Sequence, residues 1–183
     1  QTVVIEGGPD VGGLCILRGC MPSKTLLESA RRFRVLKRAG EFGLSCESPG
    51  FKTSAIIDRK KRLIGEFADY RRGQLESGRF DFLRGRAEFL DPKTLRVHHL
   101  DGKISTLSAK TFLIATGSEI AIPPVPGLAE SSCLTSDDLL DLENLPESII
   151  VLGAGPVGLE MASYSRAFGS QVTIVQRSPH ILK

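Results

Sequence analysis

Four apolar residues, Ile149-Ile150-Val151-Leu152, run directly into Gly153-Ala154-Gly155-Pro156-Val157-Gly158. An unbroken β-branched and aliphatic run of that length predicts a strand buried on both faces. A helical pattern follows over Leu159 to Phe168, Gly169 ends it, and Val172 to Val175 predicts another strand. Few folds accept that order. The first glycine allows a tight turn, the second lets the backbone approach a pyrophosphate, and the third lets the helix pack closely on its strand. The phosphates then meet the helix N-terminus. Gly-x-Gly-x-x-Gly alone is weak, but with a strand before it and a helix behind it the pattern predicts dinucleotide binding. Gly153, Gly155, Pro156, Val157 and Gly158 are the candidate loop residues. Gln176 ends the second strand, where an acid would take the ribose 2′-hydroxyl of NAD, and Arg177 follows. The missing carboxylate removes repulsion against a 2′-phosphate and Arg177 can pair with one, so the reading leans from NADH towards NADPH. Lys183 is a further cation whose part stays open.

A second constraint is the stretch Gly12-Gly13-Leu14-Cys15-Ile16-Leu17-Arg18-Gly19-Cys20-Met21-Pro22-Ser23-Lys24. It leads into a helical pattern from about Pro22 to Arg38, with Leu26, Leu27, Ala30, Phe33 and Leu36 on one side. In a regular helix, residues five apart rise about 7.5 Å. A disulfide needs Cα atoms roughly 4.4–6.8 Å apart. A Cys15–Cys20 pair therefore requires a distorted start, with Cys15 in the loop and Cys20 near the first turn. A helix N-terminus, with Arg18 and Lys24 nearby, favours thiolate. The residues leave four readings open: a reactive dithiol, a structural disulfide, a zinc half-site, or two unrelated buried cysteines. Cys46 and Cys133 are isolated, and His98-His99 lacks ligand spacing, so no metal site is expected.

Elsewhere the pattern alternates between α and β. Val3-Val4-Ile5 predicts a buried strand that ends at Glu6, with Gly7-Gly8 behind it. Thr53 to Gln74 predicts a helix, with Gly65 and Gly73 as weak points. Phe82 to Phe89, Thr94 to Leu100 and Ile104 to Leu107 predict an antiparallel meander around Asp91-Pro92 and Asp101-Gly102 turns. His98 and His99 fall on opposite faces of one of its strands and read as structural. Thr111 to Ser118 predicts another buried strand ending in Ala115-Thr116-Gly117, where a glycine permits close backbone approach. Ile122 to Gly127 is a stiff Pro-rich linker, and Ser136 to Leu142 a short helix capped by Ser136.

The segment from Gly12 to Lys24 resembles the redox-active disulfide segment of the flavin-dependent pyridine nucleotide–disulfide oxidoreductases, which include dihydrolipoamide dehydrogenase, glutathione reductase and mercuric reductase. Their usual form is Gly-Gly-Thr-Cys-x4-Cys-x-Pro-Ser-Lys; here Leu14 replaces the threonine. The meander, Ala115-Thr116-Gly117 and the later Gly-rich loop come in the family's order and spacing over essentially the whole chain. The resemblance implies an α/β fold of two partial Rossmann-like dinucleotide-binding domains, three-layered, the first with an antiparallel β-meander insertion. Residues 1–128 would be a FAD-binding domain lacking its first βα unit, and 129–183 the N-terminal part of an NAD(P)-binding domain. It also implies FAD contacts at Glu6, Gly12, Gly13, Lys24, Ala115, Thr116 and Gly117. Cys15 would be the interchange thiol and Cys20 the thiol nearer the flavin. Lys24 would tune the flavin, paired with Glu160 beside the flavin and nicotinamide rings.

The implied reaction passes electrons from NAD(P)H through FAD to the Cys15–Cys20 disulfide, then to a small-molecule or lipoyl disulfide or to Hg(II). The chain is expected to be an internal fragment, inactive alone, of a homodimeric cytoplasmic parent. Two other classes stay open: a FAD/NAD(P) reductase or oxidase that does not use the cysteines, and a non-catalytic truncated module. A net charge of +3, from 24 Lys and Arg against 21 Asp and Glu, gives no case for a nucleic-acid partner. No apolar run approaches the roughly 18 residues a membrane span needs.

Overall fold

A computed structural model describes residues 1–182; Lys183 lies outside the described residues. The chain is α/β and divides into two compact units, one of residues 1–14 and 65–118, the other of residues 15–64 and 119–182.

In the first unit, strand β1 (Val3–Glu6) pairs in parallel with the start of β2 (Asp81–Asp91), Val3 opposite Asp81 and Glu6 opposite Arg84. Beyond Arg84, β2 changes partner. It runs antiparallel to β3 (Thr94–His99), which pairs in turn with β4 (Ile104–Ser108), giving the order β1-β2-β3-β4. Gly85 stands where the pairing changes, and a Cβ there would run into the His98 carbonyl oxygen, so only glycine fits. The meander is as expected, with β2 longer than its pattern and kinked by a register shift between Phe89 and Asp91. His98 meets Glu88 at 3.3 Å and His99 meets Ser105 at 2.7 Å.

Two expectations fail in this unit. Thr111 to Ser118 forms no strand, and Leu113 and Ile114 are 92% and 70% exposed. A strand exists only if its N–H and C=O groups find a ladder partner, and among the described residues no strand pairs with this one. Ala115, Thr116 and Gly117 are exposed with it. β1 is likewise half-buried rather than buried on both faces, because among the described residues it has a neighbour on one side alone.

In the second unit, Cys15 to Leu17 complete a single helical turn, α1 (Gly13–Leu17). Helix α2 (Cys20–Lys37) follows after Arg18-Gly19 and gives way to a 3-10 turn over Ala39–Phe42. Helix α3 (Thr53–Leu75) runs unbroken through Gly65 and Gly73, and its residues to Ile64 belong to this unit. After the Pro-rich linker, α4 (Ser136–Leu140) starts one residue earlier than expected in its capping. Thr135, not Ser136, is the N-cap, in a reciprocal capping box with Asp138. Strand β5 (Ser148–Leu152), helix α5 (Pro156–Ala167) and strand β6 (Gln171–Val175) then form a parallel βαβ unit, Ser148 opposite Gln171 and Leu152 opposite Val175.

The core of this unit is helical. Leu26, Ala30 and Phe33 of α2 meet Ile57 of α3, Leu139 and Leu140 of α4, and Met161, Tyr164, Ala167 and Phe168 on or after α5. Each fully buried aliphatic or aromatic side chain contributes about 1.5–3 kcal/mol. Phe33 stacks on Phe168 at 5.4 Å, and Phe51 meets both rings. Strand β5 is not buried on both faces: Ile150 and Leu152 are 67% and 52% exposed, because among the described residues β5 pairs with β6 alone.

Candidate active site: the cysteine helix and the dinucleotide loop

The glycine loop has the geometry its sequence requires. Gly153 has φ +102°, which L side chains rarely adopt. A Cβ on Gly158 would run into the Gly153 carbonyl oxygen, so the helix can lie this close to its strand only with glycine there. Gly155 differs: a Cβ on it would meet nothing within 4 Å. Among the described residues nothing requires glycine at 155, and the space beside its Cα is open. Gly155 is also the N-cap of α5 and offers no capping side chain, while Pro156 takes the first turn, where a missing N–H costs nothing. A dinucleotide pyrophosphate fits this donor set.

Gln176 does not stand free at the end of β6. Its Oε1 accepts from the Ala154 N–H at 2.9 Å, and its Nε2 donates to Ser178 Oγ at 2.7 Å and to the His180 carbonyl at 3.2 Å. The amide thus braces the glycine loop against the turn after β6. Arg177 is exposed.

Cys15 and Cys20 are both free thiols and both exposed, as are Cys46 and Cys133. That removes the reading of two unrelated buried cysteines. Cys15 lies in a helical turn rather than a loop, and Cys20 is the first residue of α2, so the distortion falls at Arg18-Gly19. Among the described residues no group of three His, Cys, Asp or Glu could hold a metal ion. The two cations expected to act on the thiols are each engaged elsewhere. Arg18 faces Asp137 at 3.6 Å, and Lys24 is ion-paired with Glu160.

That second pair joins α2 to α5, the helix behind the glycine loop. Glu160 lies one turn into α5. One carboxylate oxygen takes the Lys24 ammonium, and the other accepts from Ser23 Oγ at 2.9 Å. Burial pushes the Glu160 carboxyl up, but the bonds from Lys24 and Ser23 outweigh it and hold the carboxyl below its ordinary value. Further along, Arg34 donates to Ser163, to its carbonyl and its hydroxyl at 2.8 Å each, and Phe33 stacks on Phe168. The two helices thus run side by side with their N-terminal ends together.

In the first unit, Glu6 turns back on its own loop, and its Oε1 accepts from the Gly8 N–H at 2.7 Å. Gly13 and Gly117 have φ +71° and +79°, and a Cβ on Gly117 would come within 3.9 Å of the Leu14 Cβ, so the Ala115–Gly117 turn lies beside the Gly12–Leu14 stretch. Arg84, not singled out in the sequence, holds this loop by donating to the carbonyls of Gly8 and Pro9. Its signal was a charge within the β2 strand pattern, which reads as an ordinary solvent-facing residue. Ser23 was read only as part of a motif, and no local signal pointed to its partner.

The family model for pyridine nucleotide-disulphide oxidoreductases matches residues 1–183. The chain is 35% identical to a mercuric reductase of Lysinibacillus sphaericus over 98% of its own length and 32% of that protein. It is 36% identical to a dihydrolipoyl dehydrogenase of Acholeplasma laidlawii, over 94% of this chain and 51% of that one. Among solved structures, the HOCl-induced flavoprotein disulfide reductase RclA from Escherichia coli superposes with a TM-score of 0.80 at 29% identity, covering 98% of this chain and 37% of that one. The chain therefore spans about a third to a half of these relatives. The glycine loop, the cysteine segment and the order of elements agree with that match, and the chain belongs to the pyridine nucleotide–disulphide oxidoreductase family.

Proposed function

We propose that this chain supplies the dithiol and parts of both dinucleotide sites of a flavin-dependent disulfide oxidoreductase. The observation that carries the reading is the Lys24–Glu160 pair, which ties the first turn of the cysteine helix to the dinucleotide helix. FAD, when bound, would relay two electrons from NAD(P)H to the Cys15–Cys20 disulfide, using a hydride and a proton to give two thiols. The chain's own residues carry the thiol–disulfide exchange. The Cys15 thiolate attacks one sulfur of a disulfide substrate, forming a mixed disulfide and releasing one thiol. The Cys20 thiolate then attacks Cys15, restoring the intramolecular disulfide and releasing the second thiol. With Hg(II) as acceptor, the same thiols would bind the metal as substrate.

Residues 1–128 would form the FAD half, with Glu6, Gly12, Gly13, Lys24, Ala115, Thr116 and Gly117 in contact with the cofactor. Glu6 holds one oxygen on Gly8 and has the other to offer a ribose. Residues 129–183 would form the nucleotide half, with Gly153, Gly155, Pro156, Val157 and Gly158 under the pyrophosphate and Glu160 near the nicotinamide. At Gln176 a neutral amide stands where a carboxylate would repel a 2′-phosphate, and Arg177 is exposed beside it, which favours NADPH over NADH. A homodimeric parent and a cytoplasmic setting belong to the same reading. The 183-residue chain alone is expected not to turn over.

The test is a visible absorption spectrum of the purified chain with added FAD, before and after reduction of the thiols. A protein-bound flavin with a long-wavelength shoulder that disappears in Cys20→Ser supports the assignment. A bound flavin whose spectrum ignores both cysteines overturns it. Steady NADPH-driven disulfide reduction by the pure chain would overturn the expectation that it is inactive alone.

A further inference from the structure

Ser23 is 6% exposed, and its Oγ lies between two acceptors: Glu160 Oε2 at 2.9 Å and the Cys20 carbonyl oxygen at 3.2 Å. The bond to Cys20 alone would be ordinary, since a serine in a helix often donates back along its own turn. The bond to Glu160 is different, because it reaches a carboxylate 137 residues away on another helix.

A hydroxyl has one proton to give. With Glu160 ionised, the charge-assisted bond wins and the proton goes to the carboxylate. With Glu160 protonated, the acid donates to Ser23 Oγ, and the hydroxyl proton is free to turn to the Cys20 carbonyl. One proton on the dinucleotide helix thereby decides whether the peptide of a thiol-bearing residue receives a hydrogen bond from Ser23. Lys24 is the charged group that meets Glu160 from α2, and Arg18 is paired with Asp137 of α4. Glu160 is therefore the acid end of this relay, and Lys24 holds it in place without entering the proton path.

We propose that Ser23 is a positioning residue, a hydrogen-bond relay that fixes the Glu160 carboxylate against the first turn of α2 and passes its protonation state to the Cys20 peptide. Its meaning for catalysis rests on the function proposed above, with Glu160 beside the nicotinamide and Cys20 beside the flavin. The relay itself does not, because it is complete within α2 and α5.

The experiment is carbonyl and carboxyl carbon NMR on the whole 183-residue chain, titrated with acid without cofactors. The Glu160 side-chain carboxyl and the Cys20 backbone carbonyl are expected to titrate together, with one midpoint. In Ser23→Ala the Cys20 response at that midpoint is lost, while the Glu160 midpoint moves up towards that of a free glutamate. Ser23→Thr, which keeps a hydroxyl, restores the shared midpoint. A Cys20 carbonyl that does not follow Glu160 in the unsubstituted chain overturns the proposal, whatever the variants do. So does a response that persists in Ser23→Ala. Because no flavin or nucleotide is present, this failure is distinct from a failure of the disulfide mechanism, which would show in the flavin spectrum instead.

Discussion

Two stretches of this chain have nearly the same apolar character and opposite fates. Ile149 to Leu152 becomes strand β5, paired along its length with β6 and leading into a glycine loop whose geometry closes on itself. Thr111 to Thr116 carries the same β-forming residues and, apart from half-buried Phe112 against Phe89, stays exposed, Leu113 at 92%. Propensity is not what separates them. A strand is a pairwise object, and its side chains gain only when a neighbour supplies the ladder and a face to pack on. β5 has β6 and α5; among the described residues Thr111 to Thr116 has no strand partner.

The largest expected effect breaks the paired region. In Gly158→Val the new side chain meets the Gly153 carbonyl, and since both are backbone-anchored neither can step aside. We expect a loss on the order of 3 kcal/mol or more and no measurable nucleotide binding, read by urea unfolding and by quenching of NADPH fluorescence. Next comes a matched pair of apolar truncations. Leu26→Ala empties a fully buried site in the helical core and should cost about 2–5 kcal/mol. Leu113→Ser should change stability by less than about 0.5 kcal/mol. Equal costs for the two would refute the contrast between core and unpaired strand.

A smaller effect goes the other way. The Tyr164 hydroxyl is buried with no hydrogen-bond partner among the described residues, and burial pushes its pKa up to about 12. Tyr164→Phe removes that polar group without changing the ring, so it should stabilise by roughly 1 kcal/mol in the same urea assay. The smallest effect concerns pH. The folded-state Glu160 carboxyl lies below its ordinary value of 4.5, so the folded protein binds fewer protons than the unfolded chain near that pH. Its contribution is present above the unfolded value and is lost as pH falls through the folded one. Glu160→Gln should therefore flatten the acid limb of the stability curve below about pH 4.5 and leave the neutral region with little pH dependence from this site. An unchanged acid limb would mean the Lys24 and Ser23 bonds do not hold the carboxylate in solution.

What could be read from the sequence was what is local. Gly153 to Gly158 carries its reason in six consecutive positions, so the loop, its strand and its helix were all legible; the helix start at Pro156, ahead of the apolar pattern, and the exposure of one face of β5 were missed. The meander was legible because each turn lies beside the strands it joins. The failures are non-local. Thr111 to Thr116 reads as a strand because composition reports propensity and says nothing of a partner. Ser23 and Glu160 are 137 positions apart, and no periodicity links them. Arg84 looked like a solvent-facing strand residue, yet it holds the carbonyls of Gly8 and Pro9. The charges of Arg18 and Lys24 were visible, and the family resemblance implied the pairing of Lys24 with Glu160; the neutralisation of Arg18 by Asp137 was not legible, because that acid lies far along the chain.

The central claim is that Cys15 and Cys20 act as one redox pair. Equilibrating the purified chain in dithiol/disulfide buffers of graded potential, with trapping of free thiols and peptide mapping, tests it directly. The account predicts a reversible two-electron midpoint at which Cys15 and Cys20 convert together into one intramolecular disulfide, with Cys46 and Cys133 remaining free. Cys15 and Cys20 titrating independently, or pairing with Cys46 or Cys133, would contradict it.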